Sequence, residues 1–171
     1  RDVLGSRGLG DVYKRQEHVY AAGDVTGGYQ LTPVARMEGI TAARNMANYP
    51  NKVVYHAIPQ TLSLNTEVSF VEDEKNNCSE EDKVDIGIPG IAGPGAFWKI
   101  LSGDTGYTKI SFDKKQNKIK KINSISPSSV SDVAYLSYLM RINSPLDEYG
   151  DFLEIHPSTD ANYKIIKSMW L

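Results

Sequence analysis

The chain has 171 residues, with 19 lysine and arginine side chains against 21 aspartate and glutamate side chains and a formal net charge of −2. This balance gives no basic excess of the kind that indicates nucleic-acid binding, and no apolar run approaches the ~20 residues that a membrane-spanning helix needs. The single cysteine, Cys78, excludes an internal disulfide framework and a cysteine metal cluster. We therefore expect no nucleic-acid, membrane or metal partner, and a reducing cytoplasm fits this cysteine content.

Residues 1–16 differ in character from the rest of the chain. They contain Gly5, Gly8 and Gly10, which suggest a phosphate-binding loop. The spacing G-x-x-G-x-G is the reverse of the dinucleotide fingerprint, however, and no strand precedes it. The chain also starts with Arg1 rather than methionine. We therefore expect 1–16 to be a non-native leader.

The next segment predicts a strand, a loop and a helix. His18–Ala22 has the apolar character of a short buried strand, and Gly23-Asp24 follows it directly. Thr32 suits the N-cap and Pro33 the first position of a helix that ends near Asn48. A carboxylate at the carboxyl end of a strand can accept hydrogen bonds from sugar hydroxyls, and a helix N-terminus can face an electron-rich ligand edge. The layout therefore predicts a cofactor site.

From Gln60 onward the pattern predicts strands. A charged stretch, Glu72–Lys83, is predicted to be a loop or a short helix. The last three predicted strands form an antiparallel meander, with turns at 104–106 and 114–117. The predicted strands are Thr61–Val71, Val84–Ile88, Phe97–Leu101, Tyr107–Phe112 and Ile119–Ile125.

Helices are predicted to follow the strands. Ser129–Asp132 resembles a capping box with Asp in place of Glu, and it opens an amphipathic helix that ends near Ile142. Pro145–Phe152 is predicted to be a short helix. Leu153–His156 is extended because a residue before proline avoids helical geometry. A final helix runs from 158 or 159 through Lys167.

Several of these segments carry a resemblance to a known family. The first set looks like the end of the FAD domain of the pyridine nucleotide–disulfide oxidoreductases, which include dihydrolipoamide dehydrogenase, glutathione reductase and mercuric reductase. That set is Val19–Val25 (VYAAGDV), Leu31–Ala35 (LTPVA), Glu38-Gly39 and Ala42-Ala43. The second set resembles the C-terminal dimerisation domain of the same family, and it occurs in the family's order. It consists of Ile58-Pro59, Glu67–Val71, Gly106–Ile110 and Ile155–Pro157.

The resemblance implies the fold class and the domain boundaries. Residues 17–57 would be the C-terminal end of a Rossmann-like FAD-binding domain, which is α/β. Residues 58–171 would be an α+β dimerisation domain built on an antiparallel sheet. The family's Gly-x-Gly-x-x-Gly, its Cys-x₄-Cys redox pair and its NAD(P) domain are not in this chain, so the chain alone is expected to be inactive.

The resemblance also implies a cofactor site. Asp24 would hydrogen-bond the ribityl chain of FAD, and the backbone at Leu31 and Thr32 would face the flavin pyrimidine carbonyl. A helix N-terminus suits that edge because it carries about +0.5 charge. The alternative is that Asp24 only caps a loop. The complete set of cofactor-binding residues implied by the resemblance is Gly23, Asp24, Leu31, Thr32, Pro33 and Ala35.

His156 is implied to be the catalytic acid/base. In the family, this histidine reaches across the dimer interface toward the redox disulfide of the other subunit, and an imidazole suits proton transfer because its pKa lies near neutrality. A glutamate five residues later usually orients it, but that position is Ala161 here. Asp160 either orients the imidazole in its place or only occupies the first helical turn. The alternative for His156 is a structural histidine beside a proline turn.

The resemblance therefore implies the C-terminal part of an NAD(P)H-dependent FAD flavoprotein. It would act as a homodimer on a small-molecule disulfide or dithiol, or on another electron acceptor. One alternative is an FAD-dependent NAD(P)H oxidase or reductase without a redox cysteine pair. The other is a catalytically inert dimerisation module.

Overall fold

A computed structural model of the protein describes residues 19–74, 76–89, 106–127, 129–151 and Ile166. The chain divides into two units between Tyr55 and His56. The domain boundaries predicted from the resemblance, with one domain ending at 57 and the next starting at 58, stay a prediction.

The first unit contains a 3₁₀ turn, Asp24–Thr26, and a helix α1, Thr32–Met46. The predicted strand at the start of this unit is wrong for the residues that the structure describes, because 19–22 adopt no strand. A strand persists only where its backbone pairs with a neighbour, and no described strand pairs with this segment. His18 lies outside the described residues.

Helix α1 begins one residue earlier than the sequence predicts. The Ala35 N–H donates to the Leu31 carbonyl at 2.9 Å, so Leu31, in extended geometry, is the N-cap and Thr32 is already helical. Pro33 still fits the first turn because the N–H it lacks has no partner inside a helix. The helix ends at Met46, close to the predicted end, and Asn48 follows with a φ of 59°.

The second unit is built on a five-stranded sheet in which every pairing is antiparallel, with strand order β1-β2-β5-β4-β3. The prediction of strands, and of the β4–β5 part of the meander, is confirmed. The predicted strand Thr61–Val71 is instead a hairpin of two strands, in which Gln60 faces Phe70. The strands are β1 (Gln60–Leu62), β2 (Val68–Glu72), β3 (Lys83–Pro89), β4 (Tyr107–Asp113) and β5 (Lys118–Ile125).

A β-bulge lies in the β4–β5 ladder. Ser111 faces Lys121 while the next residue, Phe112, faces Ile119, so Lys120 is an extra residue on β5. The extra residue shifts the alternation of side chains between the two faces. Ile119 and Ile122 are consequently both buried although they are three positions apart.

Helix α2, Ser129–Arg141, packs on β2 and β5 and closes the core of this unit. Ser129 is not the N-cap that the sequence predicts. It lies inside the helix, and its hydroxyl is 3.0 Å from the Ser69 hydroxyl on β2. The short helix predicted at Pro145–Phe152 is a 3₁₀ helix, Leu146–Asp151. The buried core comprises Ala57, Val71, Ile110, Phe112, Ile119, Ile122, Val133, Leu136, Met140, Leu146, Tyr149 and Ile166.

Two predicted elements cannot be compared with the structure. The strand Phe97–Leu101 lies outside the described residues, and so does the final predicted helix apart from Ile166, which is fully buried.

Gly106, at the start of β4, is expected to tolerate no side chain. A Cβ placed there would lie 2.5 Å from the Ile125 carbonyl oxygen and 2.7 Å from the Ser126 Cβ, and the backbone of β5 cannot move away without breaking its ladder. We expect Gly106→Ala to lower the free energy of unfolding by about 1–3 kcal/mol, measured by urea denaturation. Gly39→Ala is the opposite case, because a Cβ at Gly39 meets nothing within 4 Å in the middle of α1. That change is expected to raise helix stability by about 0.5–1 kcal/mol, and a destabilisation as large as that of Gly106→Ala would contradict this account.

Candidate flavin site in the first unit

Gly23 adopts a backbone conformation that only glycine takes easily. Its φ is +82° and its ψ is −157°, a combination that costs other residues about 1–3 kcal/mol. The backbone is held on both sides. The Gly23 N–H donates to the Glu38 Oε2 at 2.6 Å, and the Gly23 carbonyl accepts from the Thr26 N–H at 2.9 Å and the Thr26 hydroxyl at 2.8 Å. The turn is therefore fixed at its first residue.

Asp24 follows this fixed glycine and is exposed. Its backbone carbonyl, rather than its side chain, closes the turn by accepting the Gly27 N–H at 3.0 Å. No side-chain bond caps the 3₁₀ turn. The Asp24 carboxylate is therefore available to an external donor, and the simple loop-capping role has no support among the described contacts.

The start of α1 lies next to this turn. A Cβ built on Gly23 would lie 3.4 Å from the Ala35 Cβ, so the backbone of the turn is in contact with the first turn of the helix. Leu31 and Ala35 are partly buried, while Thr32 and Pro33 are exposed. No side chain caps the helix N-terminus. The structure thus brings together the two segments that the sequence analysis selected, because Gly23 and Ala35 meet.

Glu38 holds the two segments together, and the sequence analysis assigned it no role. The side chain is 1% exposed. Its Oε2 accepts the Gly23 N–H, and its Oε1 accepts the Tyr55 hydroxyl at 2.6 Å. One signal could have identified it: Glu38 lies four residues after Val34 and four before Ala42, on the buried face of α1. A carboxylate on an apolar face needs buried donors.

Tyr55 completes this cluster from the end of the first unit. Its ring stacks on that of Tyr29, with centroids 6.2 Å apart and planes inclined by 23°. Burial and the neighbouring Glu38 carboxylate raise the pKa of Tyr55 above its ordinary value. The phenol consequently stays protonated and donates to Glu38 across the neutral pH range.

The chain is similar to several known proteins. No family model matches the chain. An uncharacterised protein from Methanocaldococcus jannaschii is 34% identical over 160 residues, which cover 90% of this chain and 36% of that protein. The dihydrolipoyl dehydrogenase of Chlamydia muridarum is 43% identical over 54 residues, which cover 32% of this chain and 12% of the enzyme.

The fold also resembles that of a solved structure. It is the copper(II) complex of the HOCl-induced flavoprotein disulfide reductase RclA from Escherichia coli, with a TM-score of 0.72 and 19% identity over 88% of this chain and 34% of that one. The chain is similar to the C-terminal part of the pyridine nucleotide–disulfide oxidoreductases. The chain spans about a third of the length of the first relative that it matches.

The match to the solved structure confirms the predicted fold class. The assignment of the first unit to the C-terminal end of an FAD-binding domain stays a prediction. The second unit has the antiparallel-sheet fold of the family's dimerisation domain. The family is one of oxidoreductases, as the names of the relatives state.

FAD is the cofactor that the family implies, and the residues of the first unit fit it. An available carboxylate at Asp24 suits a polyol chain, which offers hydroxyl donors. The uncapped N-terminus of α1 suits an edge that gains negative charge on reduction. The glycine-only geometry at Gly23 brings the backbone close to the helix without a side chain between them. Gly23, Asp24, Leu31, Thr32, Pro33 and Ala35 remain predicted cofactor-binding residues.

The predicted catalytic residues, His156 and Asp160, lie outside the described residues, and their roles stay predictions. His56 has a structural position in the second unit. Its Nδ1 lies 3.0 Å from the Asp73 Oδ1, and its Nε2 lies 3.1 Å from the Met140 carbonyl oxygen.

Cys78 lies in the loop between β2 and β3. Burial of the thiol and the nearby Asp113 carboxylate raise its pKa, which disfavours the reactive thiolate.

Two features are absent from the described part of the chain. It contains no helix that is long and apolar enough to cross a membrane. Within the same residues, no group of three or more histidine, cysteine, aspartate and glutamate side chains is arranged to hold a metal ion.

Proposed function

We propose that this chain supplies one wall of the FAD site of an NAD(P)H-dependent flavoprotein oxidoreductase. The observation that carries the proposal is the fixed Gly23–Asp24 turn, in which Gly23 contacts the first turn of α1 and the next residue, Asp24, is exposed. The acceptor of the whole protein would be a small-molecule disulfide or dithiol, or another electron acceptor. Its place of action would be the cytoplasm.

The residues of the first unit would bind and orient the cofactor. Asp24 accepts hydrogen bonds from ribityl hydroxyls, and a charge-assisted hydrogen bond is stronger than one between neutral groups. The N–H of Thr32 and the dipole of α1 would face the flavin pyrimidine edge. When bound, the flavin supplies electron transfer between a nicotinamide and the acceptor.

The second unit would form a homodimer with a second copy of the chain. In this arrangement His156 moves a proton to or from the substrate held by the other subunit, and Asp160 orients the imidazole. Histidine suits this step because both of its protonation states are populated near neutral pH. This part of the proposal rests on the family resemblance and on the match of the sheet to the family's dimerisation domain.

An acceptor assay on the complete gene product tests the proposal. The purified protein is mixed with NADH or NADPH, first with a small disulfide under anaerobic conditions. In a second assay, molecular oxygen replaces the disulfide. Disulfide-dependent oxidation of the nicotinamide is the expected result. Oxidation that needs oxygen and ignores the disulfide would favour the alternative of an oxidase without a redox cysteine pair. A protein that dimerises but oxidises no nicotinamide with either acceptor would be an inert dimerisation module.

A further inference from the structure

We propose that Glu38 is a positioning residue of the FAD site, which acts on the cofactor through the Gly23–Asp24 turn. The inference rests on the proposed function and deepens it. Glu38 does not need to touch the flavin for this role. It accepts a hydrogen bond from the N–H of Gly23, the residue before Asp24. Asp24 is the residue proposed to bind the ribityl chain.

The contacts of Glu38 show why it controls the turn. Its two carboxylate oxygens have separate partners, one in the turn and one at Tyr55, each at 2.6 Å. Such short, charge-assisted bonds are the strong ones in proteins. The carboxylate is almost fully buried, and a buried polar group that loses its partner carries a large penalty. The turn and the carboxylate therefore hold each other in place.

The rest of the cluster keeps Glu38 itself still. Helix α1 fixes its backbone, and the stacked ring of Tyr55 fixes the donor on its far side. The Gly23 backbone has an unusual conformation, with a φ of +82° and a ψ of −157°, and the bond to Glu38 helps to hold it. Without Glu38, the Gly23 N–H loses its acceptor, and the orientation of Asp24 is no longer fixed by this bond. We therefore expect the affinity for FAD to decrease.

Two variants and one control separate positioning from general stability. Glu38→Ala removes both acceptors. Glu38→Gln keeps the shape and one carbonyl oxygen, which can still accept the Gly23 N–H while its amide donates to the Tyr55 oxygen. Thr41→Val is the matched control. Thr41 lies on the same helix and is also buried. The described hydrogen bond of its hydroxyl is donated to the Met37 carbonyl, within the helix.

The first measurement is FAD affinity, by fluorescence titration of the flavin-free complete gene product. We expect Glu38→Ala to weaken FAD binding by roughly tenfold, equivalent to ~1.4 kcal/mol. The FAD dissociation constant of Glu38→Gln is expected to stay within about threefold of the wild-type value. That change corresponds to less than half of the free energy lost in Glu38→Ala. Thr41→Val should match the wild type.

The second measurement is hydrogen–deuterium exchange of the peptide 20–30, without flavin. The Gly23 amide should be protected in the wild type, in Glu38→Gln and in Thr41→Val, and should exchange fast in Glu38→Ala. A purely structural role of Glu38 would speed exchange along the whole of α1 instead of this peptide.

Three outcomes would overturn the inference. Wild-type FAD affinity in Glu38→Ala contradicts it alone and leaves the proposed function intact. An equal loss of affinity in Glu38→Ala and Thr41→Val shows a general effect of helix stability and also contradicts it. A wild-type protein that binds no flavin contradicts the proposed function and removes the inference with it, so the two failures are distinguishable.

Discussion

Replacing Asp24 with alanine is expected to weaken FAD binding to the complete gene product by roughly 10- to 150-fold. The estimate follows from hydrogen bonds to a charged group, which contribute about 1.5–3 kcal/mol, with ~1.4 kcal/mol for each factor of ten. Asp24 is exposed and its carboxylate closes no turn, so its removal should leave the fold unchanged. Fluorescence titration of the flavin-free protein measures the effect.

Two further variants make the Asp24 result specific. Val25→Ala changes the neighbouring residue, which is 72% exposed, and should keep wild-type affinity. Asp24→Asn keeps one acceptor oxygen but loses the charge, so its affinity for FAD should lie between that of the wild type and that of Asp24→Ala. Wild-type affinity in Asp24→Ala would mean that this carboxylate does not contact the cofactor, and the loop-capping interpretation would then regain support.

Truncation of Phe112 to alanine is expected to lower the free energy of unfolding of the second unit by about 3–5 kcal/mol. Phe112 is 1% exposed on β4, and it belongs to the same core as Ile122 on β5 and Leu136 on α2. Removing the ring leaves a cavity in this core, and the lost contacts and the cavity both destabilise the fold. Urea denaturation of the 171-residue chain measures the change.

Tyr138→Ala is the matched surface control for Phe112→Ala. Tyr138 is an aromatic residue on α2 that is 60% exposed. Its truncation should change the free energy of unfolding by no more than about 0.5 kcal/mol. Equal effects of the two changes would contradict the placement of the core between α2 and the sheet.

Much of the second unit follows from the sequence because side-chain alternation there is strong. The strands around Ile110 and Val84 and the helix around Leu136 appear where the pattern predicts them. The bulge at Lys120 was not predicted, since an extra residue in a ladder depends on its partner strand rather than on local pattern. The hairpin within Thr61–Val71 was missed for the same reason, because pairing between strands decides where one ends.

The first unit shows a different limit of sequence reasoning. Asp24 and the start of α1 could be selected because glycine and proline mark turns and helix starts locally. The bond between Gly23 and Glu38 joins residues fifteen positions apart, and no local pattern reports such a contact. The strand predicted to precede Gly23 failed because apolar character alone does not supply a pairing partner. The helix boundary at Leu31 was missed because a hydrogen bond of the backbone, rather than a capping side chain, defines it.

The central claim is that the Gly23–Asp24 turn and the start of α1 form part of an FAD site. The most direct test is the absorption spectrum of the complete gene product, purified without added flavin and then after incubation with FAD and removal of the excess. The account predicts a yellow protein with a bound flavin spectrum that is weakened by Asp24→Ala and unchanged by Val25→Ala. A colourless protein that retains no flavin after incubation would contradict it.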